Sequence, residues 1–325
     1  MGRDPARPSG RPDVLTRLRK APVYLRSRGR RAANRTLDLL ETASSNGSDA
    51  PLTHPPVLIV GAPRTGSTLL YQLLVQAFDV TYLSNRHCRW YGAPSLAERL
   101  RPVTLDTSFE SRYGATTGDA APSECGPFWY RFFRRSPQYV PLAEVDRAQL
   151  HRLRAAVRAL TRARDRPVVF KNLICSLRLE PIGTALPEAL FVVIRRDLLA
   201  TASSLLAGRK SIFGDYGHWW SAEPPEIAEL RGLPPEQQVV EQVRRIEALI
   251  DRDRETLGAE RFLDLTYEKL CAEPDAALEA IAGLVERNGS RLTRRRHVEA
   301  KFDPSNPASL PPELHDRLVE YIQRG

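Results

Sequence analysis

The sequence predicts an α/β protein, a central parallel sheet covered by helices on both faces. Two observations carry this. Short, fully apolar, β-branched runs recur along the chain, as strands buried on both faces require, and segments of helical periodicity lie between them. A third narrows it further: the first run, Val57–Val60, passes through a glycine-containing loop straight into a helical pattern.

Taken in order, residues 1–50 are rich in Arg, Pro, Gly and Ser and read as a basic, flexible arm with a short helix near Thr36–Ala43. Pro55-Pro56 marks the start of a single folded domain spanning 51–325. Val57–Val60 runs into Gly61-Ala62-Pro63-Arg64-Thr65-Gly66-Ser67-Thr68, and Leu69 to Phe78 continues as a helix. Further strands are expected at Val80–Leu83, Val168–Lys171, Leu190–Ile194 and Phe262–Leu265. A helix is expected over Leu142–Ala163. Another follows from Val239, Val243, Ile246 and Ile250, which share one helical face. Residues 84–140 are loop-rich and aromatic and read as an insertion covering the site.

Composition narrows the possibilities. A 42% hydrophobic share suits a folded globule. No apolar run approaches the roughly 20 residues of a spanning helix, and no apolar stretch follows the basic N-terminus as in a signal peptide. The expected location is therefore cytoplasmic, with Cys88, Cys125, Cys175 and Cys271 reduced. Neither the cysteines nor the six histidines have metal-ligand spacing, so no metal is expected. The net charge of +9 lies entirely within residues 1–35, which hold eleven basic and two acidic side chains. The neutral remainder argues against nucleic acid as a partner. The arm's charge leaves two readings, a solvated tail or a peripheral contact with an anionic membrane.

Gly61 and Gly66 have the spacing of a nucleoside-triphosphate loop, but Ser67 stands where such a loop needs its lysine. The cradle itself survives. A helix N-terminus faces an anion, Thr65, Ser67 and Thr68 add hydroxyls, and Arg64 adds a guanidinium fork. A second anion site is expected where Phe191–Ile194 ends in Arg195-Arg196-Asp197, since Arg196 and Ser204 can converge across two turns of the following helix. Lys171, a cation closing an apolar strand, asks for an anionic partner.

At these residues the chain resembles the sulfotransferases that use 3′-phosphoadenosine-5′-phosphosulfate (PAPS), particularly the bacterial branch related to glycan and tyrosylprotein sulfotransferases. Gly61–Leu70 is similar to that family's 5′-phosphosulfate loop, and Phe191–Ser204 to its 3′-phosphate element. Leu198 stands where the family usually has Pro. Thr266-Tyr267-Glu268-Lys269-Leu270 is similar to a third signature, whose Tyr lies near the adenine. The resemblance implies a P-loop-like three-layer fold and transfer of a sulfuryl group to a hydroxyl of a small-molecule or carbohydrate acceptor. PAPS is then the co-substrate, and no metal is needed. Arg64, Thr65, Gly66, Ser67, Thr68, Arg196, Ser204 and Tyr267 would hold the donor.

Sulfuryl transfer needs a general base and positive charge at the transferred group and the leaving oxygen. Arg64 and Lys171 are the expected cations. Two bases stay open: Glu124, a lone acid in a Pro/Gly-bracketed aromatic loop, and His87, whose ordinary pKa suits the task. Arg294-Arg295-Arg296 with Lys301 is the candidate for a C-terminal phosphate loop. The aromatic clusters Trp90-Tyr91, Phe128-Trp129-Tyr130 and Trp219-Trp220 offer either ring stacking or core packing. Rival readings are a nucleotide-dependent kinase or NTPase, a non-catalytic binding module on a degenerate loop, and a basic-arm nucleic-acid binder. The acceptor and the oligomeric state are not legible.

Overall fold

The computed structural model describes residues 28–42, 51–101, 103, 111–112, 115–116, 118–298, 301–304 and 310–324. Val57–Val60 forms β1, with every side chain buried, at the centre of a five-stranded sheet. The other strands are β2 (Thr81–Tyr82), β3 (Val168–Lys171), β4 (Leu190–Arg195) and β5 (Phe262–Thr266), in the order β2-β3-β1-β4-β5. All four pairings are parallel, with Ile59 opposite Lys171 on one side and Val192 on the other.

Successive strand residues point to opposite faces, and the two faces feed separate cores. Val57, Ile59, Val169, Val192 and Ile194 join one core. Leu58, Val60, Phe170, Phe191 and Val193 join the other. Neither face meets water, which is why these strands read as unbroken apolar runs.

The chain's helices begin with α1 (residues 28–42), α2 (Ser67–Ala77), α3 (Asn85–Arg89), α4 (Pro94–Leu100) and α5 (Gly126–Trp129). They continue with α6 (Arg147–Arg164), α7 (Leu179–Ala185), α8 (Leu198–Phe213) and α9 (Ile227–Leu230). The last are α10 (Pro235–Leu257), α11 (Tyr267–Ala272), α12 (Pro274–Arg287) and α13 (Pro312–Arg324). Helices α2 and α12 cover the first face; α6, α7, α8 and α10 cover the second. This is the three-layer P-loop-like arrangement the sequence predicts.

Local signals set the helix ends. α6 starts at Arg147 rather than Leu142 because Asp146 accepts from the Gln149 backbone and Gln149 reaches back, a capping box. The expected strand at Val80–Leu83 shrinks to the two residues that pair with β3. Residues 84–140 hold α3, α4 and α5 and a short antiparallel pair, Ser111–Arg112 with Ala115–Thr116.

Residues 1–27 of the expected arm lie outside the described residues. Residues 28–42 form α1, which is bound to the insertion. Asn34 donates to the Arg89 carbonyl at 3.0 Å, Gly92 N donates to Asn34 at 2.8 Å, and Arg131 pairs with Asp38 and Glu41.

Candidate active site

β1 is flanked by β3 and β4, and the chain turns away from the sheet beyond all three carboxyl ends at the same edge. In open parallel sheets such a point is where ligands bind. Each strand end delivers one cation: Arg64 after β1, Lys171 at the end of β3, and Arg196 after β4. Together with Ser67, Thr68, Glu124, Trp220 and Tyr267 they line a cleft of about 410 Å³.

The loop between β1 and α2 owes its shape to two glycines. A Cβ on Gly61, at φ +152°, would stand 2.4 Å from the Ile194 carbonyl oxygen. Ser176 brackets Gly61 from the other side. Its hydroxyl donates to the Gly61 carbonyl and accepts from the Gly61 N–H, both at 3.0 Å. Gly66 is left-handed, φ +86°, and a Cβ there would meet the Tyr267 ring at 2.1 Å. α2 then begins with no side-chain cap and no acid in its first turn, so its leading N–H groups face the cleft unneutralised. Arg64 also has a positive φ, 71°.

The cations are cross-braced. Arg64 Nε donates to Ser204 Oγ at 2.9 Å, and its guanidinium lies 5.9 Å over the Trp220 ring. Arg196 Nη1 donates to the Arg64 carbonyl at 3.3 Å, and its guanidinium stacks 4.5 Å over Tyr267. The two expected anion elements and the Tyr267 signature therefore meet at one place. Ser204 does not line the cleft itself; it sits behind Arg64 and fixes it. Asp197 caps α8 by accepting from Ala200 N at 2.8 Å.

Lys171 is buried, donates to Thr68 Oγ1 at 3.3 Å and is bonded to the Glu124 carboxylate. Glu124 reaches it from the insertion. Asn172 Nδ2 donates to the Glu124 carbonyl at 3.0 Å, while Asn172 Oδ1 accepts from Ile174 N at 2.9 Å. This one amide ties the loop to the end of β3. The next residue, Cys125, is left-handed at φ 42°.

Two expected site residues are placed elsewhere. His87 is fully buried away from the cleft. Its Nδ1 accepts from Ser84 N at 3.1 Å in a capping box, and its Nε2 lies 3.2 Å from Glu98. A ring buried in a helix turn, with Nδ1 taken by Ser84 and neither nitrogen at the cleft, is not placed to receive an acceptor's proton. The Thr65 hydroxyl is also buried and donates to the Ala62 carbonyl at 2.9 Å, leaving Ser67 and Thr68 as the loop's hydroxyls at the cleft. The Arg294–Arg296 run does not line the cleft. Arg294 pairs with Asp275 and Glu279, Arg295 with Asp79, and Arg296 with Gln76.

Asn172 is a residue sequence reasoning missed, and of the two readings left open for Trp219-Trp220, Trp220 lines the cleft. Trp220 is seated against Gly208 of α8, where a Cβ would approach the ring to 2.2 Å, and Gln242 of α10 donates to its carbonyl at 2.9 Å. The Trp219-Trp220 pair was visible, but its use at the cleft depends on α8 and α10. Phe128 and Trp129 are core residues. Among the described residues one grouping has metal-ligand spacing, Asp275, Glu279 and His297, and none of the three lines the cleft.

A glycine-shaped loop, an uncapped helix N-terminus and three converging cations define a P-loop-like protein whose cleft suits a phosphate- or sulfate-type group. The chain belongs to the sulfotransferase family, whose model matches residues 55–286. The omega-hydroxy-beta-dihydromenaquinone-9 sulfotransferase Stf3 of Mycobacterium bovis is 24% identical over 254 residues, 72% of this chain and 63% of that protein. Its Mycobacterium tuberculosis counterpart matches equally. The chain thus spans a little under two thirds of the length of these curated relatives. Among solved structures, sulfotransferase STF9 from Mycobacterium avium superposes with TM-score 0.49 at 18% identity, covering 85% of this chain and 69% of that one. The Alicyclobacillus acidocaldarius sulfotransferase gives 0.45 at 16%, covering 83% and 92%.

Proposed function

We propose that this protein transfers the sulfuryl group of PAPS to a hydroxyl of a small-molecule acceptor. The observation that carries this reading is the convergence of Arg64, Lys171 and Arg196 with Glu124 on one cleft. Three cations and a helix N-terminus suit a donor with two separate phosphate-type groups. Loop N–H groups, Ser67, Thr68 and Arg64 would hold the 5′-phosphosulfate. Arg196 would hold the 3′-phosphate, with Tyr267 stacked beneath it and beside the adenine.

Glu124 accepts the proton of the acceptor hydroxyl as the hydroxyl oxygen bonds to sulfur. The bond from sulfur to the phosphate oxygen breaks, and Lys171 and Arg64 neutralise the oxygen that leaves. Each residue acts through a charge already fixed by its neighbours, so little reorganisation is needed. The named relative, a sulfotransferase of an omega-hydroxylated menaquinone derivative, supports a hydroxyl-bearing acceptor; a carbohydrate hydroxyl fits the same chemistry.

Calorimetric titration with 3′,5′-adenosine bisphosphate and with ATP, both without magnesium, tests the donor. Tight binding of the bisphosphate and weak binding of ATP is expected. Preference for ATP, or binding of neither, would reject PAPS as donor.

A further inference from the structure

Helix α1 is oriented opposite to an ordinary surface helix. Its inner side is mostly polar: Asn34 and Glu41 are buried, Asp38 is half-buried against Arg131, and half-buried Leu37 is the one leucine on that side. At 100° per residue Asn34 and Glu41 share that side, and Ala32, Thr36, Leu39 and Leu40 fall on the other. All four are exposed, Leu39 at 71% and Leu40 at 61%.

α4 carries two more exposed leucines. Leu96 and Leu100 lie one turn apart and are 43% and 77% exposed. Ser95 donates to Glu41 from its backbone at 3.1 Å and from its hydroxyl at 2.5 Å, joining the helices one residue from Leu40 and from Leu96. A single exposed leucine needs no explanation; four on two hydrogen-bonded helices call for one.

Positive charge is dense on the same two helices. α1 carries Arg28, Arg30, Arg31 and Arg35, and α4 ends in Arg99 before Arg101. Residues 1–27 add seven basic side chains against two acids. On the inner edge of α1, Arg30, Arg31, Arg89 and Arg135 line a cavity of about 790 Å³ with Tyr91 and Tyr130, and no acid is among its described lining residues. An acidic protein surface would satisfy the arginines and leave the leucines wet. A bilayer satisfies both: leucines enter the boundary between headgroups and acyl chains, and guanidinium groups meet lipid phosphates.

We propose that α1 and α4 form a docking face for an anionic lipid bilayer. Leu39, Leu40, Leu96 and Leu100 enter it, and Arg28 and Arg35 contact its phosphates. None of these residues lines the cleft.

The test is cosedimentation of the full chain with vesicles of phosphatidylcholine alone and of phosphatidylcholine mixed with phosphatidylglycerol. Binding to the mixed vesicles only, weakening as salt is added, is expected. Leu39→Glu with Leu40→Glu should lower the vesicle partition coefficient by about tenfold or more, with circular dichroism and the unfolding midpoint unchanged because both side chains are exposed. Arg28→Glu with Arg35→Glu should weaken binding without altering the leucines. No binding to either vesicle, or full binding by the leucine variant, overturns the proposal. So does a concentration-dependent dimer that the leucine variant abolishes, which would assign the face to a second copy.

Discussion

Glu124 and Lys171 are bonded side chain to side chain, although one comes from the insertion and the other from the end of β3. The lysine is 3% exposed and the carboxylate 37%. Lys171 is therefore committed to the protein interior, while Glu124 keeps an edge toward solvent and an incoming hydroxyl. Glu124→Gln should leave the affinity for 3′,5′-adenosine bisphosphate unchanged and lower kcat by about 10²–10⁴-fold. Lys171→Met should lower both. Full turnover by the Glu124 variant would remove it as the base.

Arg64 holds a position that its own backbone resists, and Ser204 and Trp220 brace its guanidinium. Arg64→Ala removes charge-assisted bonds of about 1.5–3 kcal/mol to the donor. Titration calorimetry should show bisphosphate affinity falling by about 10–100-fold, with the unfolding midpoint little changed. Ser204→Ala should give a weaker loss, since it frees Arg64 without removing it.

Gly66→Ala meets two obstacles, a left-handed φ and the Tyr267 ring. A stability loss of about 1–3 kcal/mol is expected in urea denaturation, together with loss of bisphosphate binding. Combining it with Tyr267→Ala should recover the part due to the clash and not the part due to φ. Strict additivity of the two losses would show that the ring does not constrain the loop.

The Cys88 thiol is lowered to about 7, chiefly by its hydrogen bond with Cys125 and secondarily by Ser123, against the opposing effect of burial. Burial first, then the bond with Cys88, pushes the Cys125 thiol up. The thiolate is the nucleophile, so a lowered pKa places reactive Cys88 at neutral pH. Alkylation by iodoacetamide, followed by mass spectrometry, should label Cys88 first with a rate midpoint near pH 7. In Cys125→Ala that midpoint should move up toward the ordinary thiol range, slowing labelling at pH 7.

The parts of this molecule legible in the sequence are those set by local pattern. β1, the loop and α2 are adjacent in the chain, and burial on both faces leaves β1 wholly apolar. Arg64, Lys171 and Arg196 are legible because each follows an apolar run that fixes where it must emerge. His87 misleads because its partners are a helix turn and Glu98, eleven residues on, and nothing in its own neighbourhood marks it as buried. Asn172 escapes notice because its work is to hold a backbone carbonyl 48 residues earlier. The polar inner side of α1 is likewise invisible until Arg131 and Ser95 are brought against Asp38 and Glu41.

The cations rise from the sheet, while Glu124 arrives on the insertion and is tied down through Asn172 and Lys171. The two halves of the site therefore have different freedom to change. A shift in the sheet would misplace Arg64, Lys171 and Arg196 together, so that half moves as a unit. The insertion is held in the core by Phe128 and Trp129 but meets the cleft through Glu124, so its remaining length can vary while those contacts persist. Homologues on this scaffold can thus diversify what they modify without rebuilding how they hold the group they transfer.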